Sequence, residues 1–227
     1  CAIVSENRVT RIDGASDMET AALYGCAVTT GFGVVENNAG IRIGESVVVF
    51  GAGGVGLNIV QAANMRSAYP IIAVDVHDRR LDLARMLGAT HTINSRTRDA
   101  KAAIEEILGS QAVDVFIDNT GQPVTIEMGY ELTKPQGRVV LVGVPKKGKS
   151  ITIYSLPLHF GKTVSGSHGG ESHPDEDIPR YQKLVATGRV QLKPLITDHF
   201  TLDGINTAIE RMRSGEIAGR CLIRMSA

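Results

Sequence analysis

The chain has 227 residues, 43% hydrophobic and 21% charged, and its 24 basic side chains balance 24 acidic ones. This is ordinary globular composition, and the zero net charge removes the electrostatic motive for nucleic acid or an anionic membrane as main partner. No apolar run approaches the roughly 20 residues of a membrane span and no signal-like segment opens the chain, so the expected location is the cytoplasm.

Three scattered cysteines, Cys1, Cys26 and Cys221, form no CxxC pair. A disulfide framework and a self-contained zinc knuckle are therefore not expected. The chain begins at Cys1 without a methionine, as a processed or partial chain would.

Strand-like and helix-like segments then alternate. "SVVVF" (Ser46–Phe50) is a continuous apolar run, the signature of a strand buried on both faces. "VGLNIVQAANMR" has apolar and small residues at helical spacing, and "IIAVD" (Ile71–Asp75) reads as a second buried strand. "RRLDLARMLGA" predicts a helix closed near Gly88, followed by a short strand at Thr90–Asn94. "DAKAAIEEILG" predicts an amphipathic helix, "VDVFIDNTG" (Val113–Gly121) a fourth strand with its loop, and "VTIEMGYELT" another helix. "GRVVLVGV" (Gly137–Val144) and "KSITIYS" (Lys149–Ser155) read as a fifth and a sixth strand. The alternation argues for a doubly wound, Rossmann-type parallel sheet of about six strands, because parallel strands need crossover connections. Only "PKKG" separates the last two strands, too little for a crossover helix, so the sixth is expected to turn away along an edge. A polar stretch, Ser165–Arg180, leads to two helical patterns, Ile178–Thr187 and Leu202–Ser214, and a terminal strand, "GRCLIRM".

The loop "GAGGVG" carries Gly51, Gly53 and Gly56 at the spacing G-x-G-x-x-G. Alone that is weak, but here it lies between a buried strand and a small-residue helix, the setting dinucleotide binding requires. Gly51 would make the tight turn, Gly53 would let the backbone approach a pyrophosphate, and Gly56 would let helix and strand pack closely. The helix N-terminus offers free N–H groups and partial positive charge to phosphates. Asp75 follows Gly56 by 19 residues, close to the roughly 20 expected of an acid that accepts the ribose hydroxyls of NAD. It would repel the 2′-phosphate of NADP; Arg79 and Arg80 stand nearby. A methyltransferase, which holds S-adenosylmethionine on a similar fold with an acid after its second strand, is the rival reading.

The ordered set "GCAVTTGFGVV", "GESVVVFGAGGVGLNIVQ", "IIAVDVHDRRLDLARMLGAT", "VDVFIDNTG", "GRVVLVGVP" and "TGRVQLKPLITDHFTLDGINTAIERMRSGE" resembles the zinc-dependent medium-chain alcohol dehydrogenases, including their glutathione-dependent formaldehyde dehydrogenase branch, across essentially the whole chain. The resemblance implies hydride transfer between an alcohol or aldehyde and nicotinamide. It implies that Cys26 is the third protein ligand of a catalytic zinc and that Thr30 lies beside the nicotinamide ring. Gly51, Gly53, Gly54, Val55 and Gly56 match the pyrophosphate loop, Asp75 the ribose acid and Arg80 a basic residue near adenosine. Val142, Val144 and the Ser167–His168 stretch match contacts to the nicotinamide carboxamide, and Arg220 matches a pyrophosphate-pairing arginine. It also implies a homodimer through the strand at 149–155.

The departure is at the front. The family's other zinc ligands and proton relay lie in an N-terminal barrel-like catalytic domain, of which residues 1–27 match only the end. Residues 28–167 then correspond to the NAD-binding domain and 168–227 to the C-terminal part of the catalytic domain. Alone, such a chain is expected to bind NAD weakly and not to turn over alcohols. A non-catalytic dinucleotide-binding module, or a subunit completed by a separate catalytic partner, is the alternative. His168 and His173 flank "GGES" in a polar loop where surface roles are commoner than metal ligation, His77 is expected to be solvated, and Cys221 is expected in the core.

Overall fold

The computed structural model describes residues 3–6, 9–12 and 17–225; Cys1 lies outside them. A short helix, α1 (Met18–Ala21), opens a helical run that continues through π-helical turns at Tyr24–Val28 and Val34–Ala39, with α2 (Thr29–Gly33) between them. Small residues let this run pack closely: a Cβ on Gly31 would lie 2.5 Å from Cβ of Asn58.

Five strands of the main sheet follow the expected order: β1 (Val47–Phe50), β2 (Ile71–Asp75), β3 (His91–Asn94), β4 (Val113–Asp118) and β5 (Thr133–Leu141). Between them run α3 (Gly54–Met65), α4 (Asp78–Met86), α5 (Ala100–Leu108) and α6 (Pro123–Leu132). Asp99 caps α5 by accepting from the Ala102 amide at 2.8 Å, and Pro123 starts α6 where its missing N–H costs nothing. The sheet order is β3-β2-β1-β4-β5-β6, with every neighbouring pair parallel. The central strands are buried on both faces, so both sides are core: Val49, Ile71, Ile117 and Leu57 on one, Val48, Ile72, Phe116 and Ile104 on the other.

The sixth strand is not the one expected at 149–155. It is β6 (Thr163–Gly166), paired in parallel with β5 from Arg138↔Thr163 to Leu141↔Gly166. A parallel neighbour needs a crossover of about a dozen residues, which pushes the strand beyond the 3₁₀ turn at Leu156–Phe160. Residues 151–155 are tethered to α6 instead: the Thr152 amide donates to Glu127 at 2.7 Å, and the Tyr130 hydroxyl donates to the Tyr154 carbonyl at 2.7 Å. Lys162, just before β6, is buried; its ammonium donates to the Tyr130 carbonyl at 2.8 Å, and burial pushes its pKa down.

The C-terminal part contains α7 (Pro174–Ala186), β7 (Ile196–Thr201), α8 (Ile205–Ser214) and β8 (Arg220–Arg224), with β7 and β8 forming a separate two-stranded parallel sheet. The acids Asp175, Glu176 and Asp177 form the first turn of α7, where they complement its dipole. Cys221 in β8 is only partly buried, because a two-stranded sheet covers less of each strand than the six-stranded one does.

At the N-terminal edge of the main sheet, Asp114 joins three strands. Its carboxylate accepts from the Ser46 amide and hydroxyl, both at 2.8 Å, and pairs with Lys134. Burial pushes the carboxyl up, but Lys134 and Ser46 outweigh it and hold the group below its ordinary value. A carboxylate with a lowered folded pKa stabilises above its unfolded value, near 3.8, and that contribution is lost as pH falls through the folded value. Asp114→Asn is therefore expected to lower Tm at pH 7 and to cost progressively less below about pH 3.8, as thermal melts of both proteins across pH 3–7 would read. A Tm difference independent of pH would refute the ionic role.

Candidate functional site

The reversal of strand order falls between β1 and β4, and ligands of open α/β sheets bind outside the strand C-termini at such a point. A cavity of about 480 Å³ opens there, lined by the glycine turn with Val55, by Asp75, Val76 and Arg80, by Asn119 and Thr120, and by Ser95, Val142 and Arg220.

Each glycine has a measurable reason. Gly51 adopts φ 98°, the left-handed region that side chains rarely enter, while its N–H donates to the Val74 carbonyl at 2.7 Å. A Cβ on Gly56 would sit 2.0 Å from the Gly51 carbonyl oxygen, so only glycine lets α3 cross β1 this closely. A Cβ on Gly53 would meet no protein atom within 4 Å; it would project into open space at the N-cap of α3. At Gly54 the nearest neighbour is the Arg220 guanidinium, whose Nε would lie 2.0 Å from an added Cβ. β8 thus delivers a cation to the positive end of α3, an unfavourable pairing that an anion between them would reverse.

Asp75 is buried, and its carboxylate organises the opposite wall. Oδ1 accepts from the amides of Val76 at 2.8 Å and His77 at 3.0 Å; Oδ2 accepts from the Ala52 amide at 2.8 Å. Two acceptors on Oδ1 are thus filled, while Oδ2 keeps one free beside Arg80, 3.6 Å away. His77, expected to be solvated, instead packs its ring against Gly215, where a Cβ would approach to 2.2 Å. Arg79 donates to the Glu216 carbonyl at 3.2 Å and Arg80 to that of Ile217 at 3.5 Å, tying this edge to the C-terminal segment.

Asp118 shapes the far wall. It is fully buried, and burial pushes its carboxyl up while three donors pull it back: the Thr120 hydroxyl at 2.6 Å, the Thr120 amide at 3.1 Å and the Gly121 amide at 2.8 Å. Its own carbonyl accepts from the Val142 amide at 2.8 Å, fixing the end of β5.

The fold therefore gathers nine of the residues singled out in the sequence into one cavity: Gly51, Gly53, Gly54, Val55, Gly56, Asp75, Arg80, Val142 and Arg220. Cys26, Thr30, Val144 and His168 are not among its lining residues. Cys26 is an exposed free thiol, Val144 is 89% exposed, and His168 caps the 3₁₀ turn Gly169–Glu171, where its amide donates to Glu171 at 3.0 Å. Ser95, Val76, Asn119 and Thr120 line the cavity and were not picked out. The only signal for them is position: each sits within a few residues of a strand's C-terminal end. Among the described residues no group of three or more His, Cys, Asp or Glu side chains is placed to hold a metal ion, so those residues alone do not complete a catalytic zinc site. Nor, among those residues, is any helix long and apolar enough to cross a membrane.

A six-stranded parallel sheet in this order, with helices on both faces and a glycine turn at the switch point, defines a Rossmann-type α/β fold. Residues 54–187 match the family described as zinc-binding dehydrogenase, and the chain belongs to that family. It is 32% identical over 220 residues to the NDMA-dependent alcohol dehydrogenase of Amycolatopsis methanolica, covering 95% of this chain and 59% of the relative. It is also 32% identical over 218 residues to an S-(hydroxymethyl)glutathione dehydrogenase of Escherichia coli, covering 94% and 58%. The solved structure of an alcohol dehydrogenase zinc-binding domain protein from Burkholderia ambifaria superposes with a TM-score of 0.90 at 35% identity, over 98% of this chain and 60% of that one. The chain thus spans somewhat more than half the length of these relatives.

Proposed function

We propose that the chain is the coenzyme-binding part of an NAD-linked alcohol or aldehyde oxidoreductase, carrying the C-terminal part of the catalytic unit. In this reading residues 28–167 are the coenzyme domain, and 1–27 and 168–227 belong to the second unit. The single observation that carries it is the shared cavity at the strand-order switch, where the open face of Gly53, the guanidinium of Arg220 and the buried Asp75 converge.

These groups fit a dinucleotide. Gly53 leaves room for a pyrophosphate against the α3 N-terminus, and Arg220 has a buried Nε without a partner in the described structure. Asp75 offers its free acceptor on Oδ2 to an adenosine ribose hydroxyl, and its charge disfavours a 2′-phosphate. NAD bound here would supply the hydride chemistry; the chain's residues bind it, orient it and exclude water. Zinc, implied by the family with Cys26 as one ligand, requires donors beyond the described residues, so the chain alone is expected not to turn over alcohols. Thr30, Val144 and His168 are proposed to approach the nicotinamide end only in the complete enzyme.

A homodimer through the segment at 149–155 and the turn after it is part of the same reading. Tyr154 is 69% exposed and Phe160 64% exposed in the segment leading into β6, whose outer edge pairs with no other described strand, a combination that proteins cover.

Titration of the purified chain with NADH and NADPH, read by fluorescence, tests the proposal. Saturable NADH binding with weaker NADPH binding is expected. Asp75→Asn, which removes the charge and gives up part of the backbone-amide contacts to the carboxylate, is expected to shift the ratio of the two Kd values toward NADPH by about tenfold. Absence of saturable binding by the wild-type chain would overturn the coenzyme reading.

A further inference from the structure

A second cavity, of about 280 Å³, lies at the C-terminal end of α3, where α3, α7 and the helical run around α2 each supply part of the wall. Phe32, Val35, Ala62, Met65 and Leu184 give it an apolar lining. Tyr181 lines it too. That residue is only 3% exposed, and its hydroxyl is shut off from solvent without a hydrogen-bond partner among the described residues. Its ring packs on Phe32 with the centroids 5.0 Å apart and the planes tilted by 45°. Burial pushes the phenol's pKa up and the negative charges of Asp177 and Glu36 push it further, so the hydroxyl stays neutral, able to donate and to accept. A buried hydroxyl left unpaired is costly, and such groups persist where something completes them.

The charged groups beside the cavity balance. Nη2 of Arg180 donates to both oxygens of Glu36, at 2.9 and 3.2 Å, and its Nη1 donates to Asp177 at 3.0 Å. Arg66 stands 3.7 Å from Glu36. Two guanidinium groups thus face two carboxylates, which leaves no net field to hold an ion.

We propose that this cavity is a second ligand site, for a small neutral aromatic molecule whose single hydroxyl hydrogen-bonds the Tyr181 hydroxyl. Three features select that class. The Phe32–Tyr181 pair and the Met65 thioether suit the faces and edge of a ring. The balanced charges give a carboxylate or an amine no advantage, and the apolar lining makes burying either one costly. The volume falls just below the roughly 300 Å³ at which pockets begin to hold drug-sized ligands, so it suits one substituted ring. The site is separate from the coenzyme cleft. α3 has 12 residues and is about 18 Å long, with the glycine turn at its other end, so both sites can be filled together.

The full chain and its Tyr181→Phe variant are titrated with para-fluorophenol, fluorobenzene and para-fluorobenzoate, observed by fluorine NMR, with Tm of the free proteins as the control for folding. Tyr181→Phe removes only the unpaired oxygen and is expected to leave Tm unchanged or raised. The wild-type chain is expected to bind para-fluorophenol saturably, about tenfold more tightly than the other two probes. The variant is expected to bind para-fluorophenol no better than fluorobenzene, with fluorobenzene itself unchanged. Saturating NADH is expected to leave para-fluorophenol binding as it was. Absence of saturable para-fluorophenol binding by the wild type, equal affinity for it in the two proteins, or its displacement by NADH overturns the assignment. So does a Tm several degrees lower in Tyr181→Phe, which would give the hydroxyl a partner inside the protein. Binding of para-fluorobenzoate as tight as that of para-fluorophenol overturns the neutral class.

Discussion

Gly56→Ala is expected to damage the fold, and Gly53→Ala only the ligand site, although the two glycines stand three positions apart in one motif. At Gly56 the added carbon would lie 2.0 Å from a backbone carbonyl, a contact that no rotamer relieves. Either α3 or the turn after β1 must move, with Leu57, Ile59 and Val49 packed around them. Overpacking of this kind costs about 3 kcal/mol, or roughly 6–12 °C of Tm in a chain of this length. At Gly53 the added carbon meets nothing, the residue's φ of −75° suits alanine, and the loss is that of an N-cap change, below about 1 kcal/mol. Its methyl group would instead occupy the space proposed for the pyrophosphate, and NADH affinity is expected to fall on the order of tenfold or more. Thermal melts and NADH titrations of the two variants give the answer. Equal effects on Tm, or an unchanged NADH affinity in Gly53→Ala, would refute this division of labour.

The second large effect belongs to Arg220. Its guanidinium lies over the first turn of α3, where the dipole is positive and a cation is disfavoured by about 0.3–1 kcal/mol. Arg220→Met keeps the aliphatic stem and removes the charge. The ligand-free chain is then expected to melt at the same temperature or slightly higher. NADH binding is expected to weaken roughly tenfold to a hundredfold, the range for a lost hydrogen bond to a charged group. The dependence of Kd on salt should flatten as well, because one charge pair has gone. A variant whose Kd and salt dependence match the wild type would remove Arg220 from the site.

The sheet core was legible because its strands are runs that only a doubly covered sheet buries. Val47–Phe50, Ile71–Asp75 and Val113–Asp118 are apolar almost throughout, and each ends at the C-terminal edge where the site forms. The edge was not legible for the same reason. Thr163–Gly166 faces solvent along much of its length and carries no apolar run, whereas residues 149–155 look strand-like but are tied to α6. The crossover rule excludes that segment as a parallel neighbour of β5 and points beyond Phe160. The π-helical turns left no helical period, since their i→i+5 turns shift the buried Tyr24, Ala27, Val28, Val34, Val35 and Ala39 off the 3.6-residue repeat. Within the site, the glycine turn and Asp75 were readable from local spacing. Arg220 was not, because it lies far along the chain and reaches the turn only through β8; resemblance alone pointed to it. Asn119 has no sequence signature at all, and its place in the cavity wall is visible only in three dimensions.

The small sheet of β7 and β8 has a consequence of its own. Two strands alone are marginal in water, so this sheet takes its order from neighbours: Arg79 and Arg80 hold the carbonyls of Glu216 and Ile217, and Glu19 binds Arg224 and His199. Its amide protons therefore report on a surface some distance away. A molecule that bridges the turn after β1 and Arg220 would fasten the end of the chain to its middle, as a removable cross-link does. Slower hydrogen exchange in residues 196–224, outside the six-stranded sheet, would then be the first trace of an occupied cleft.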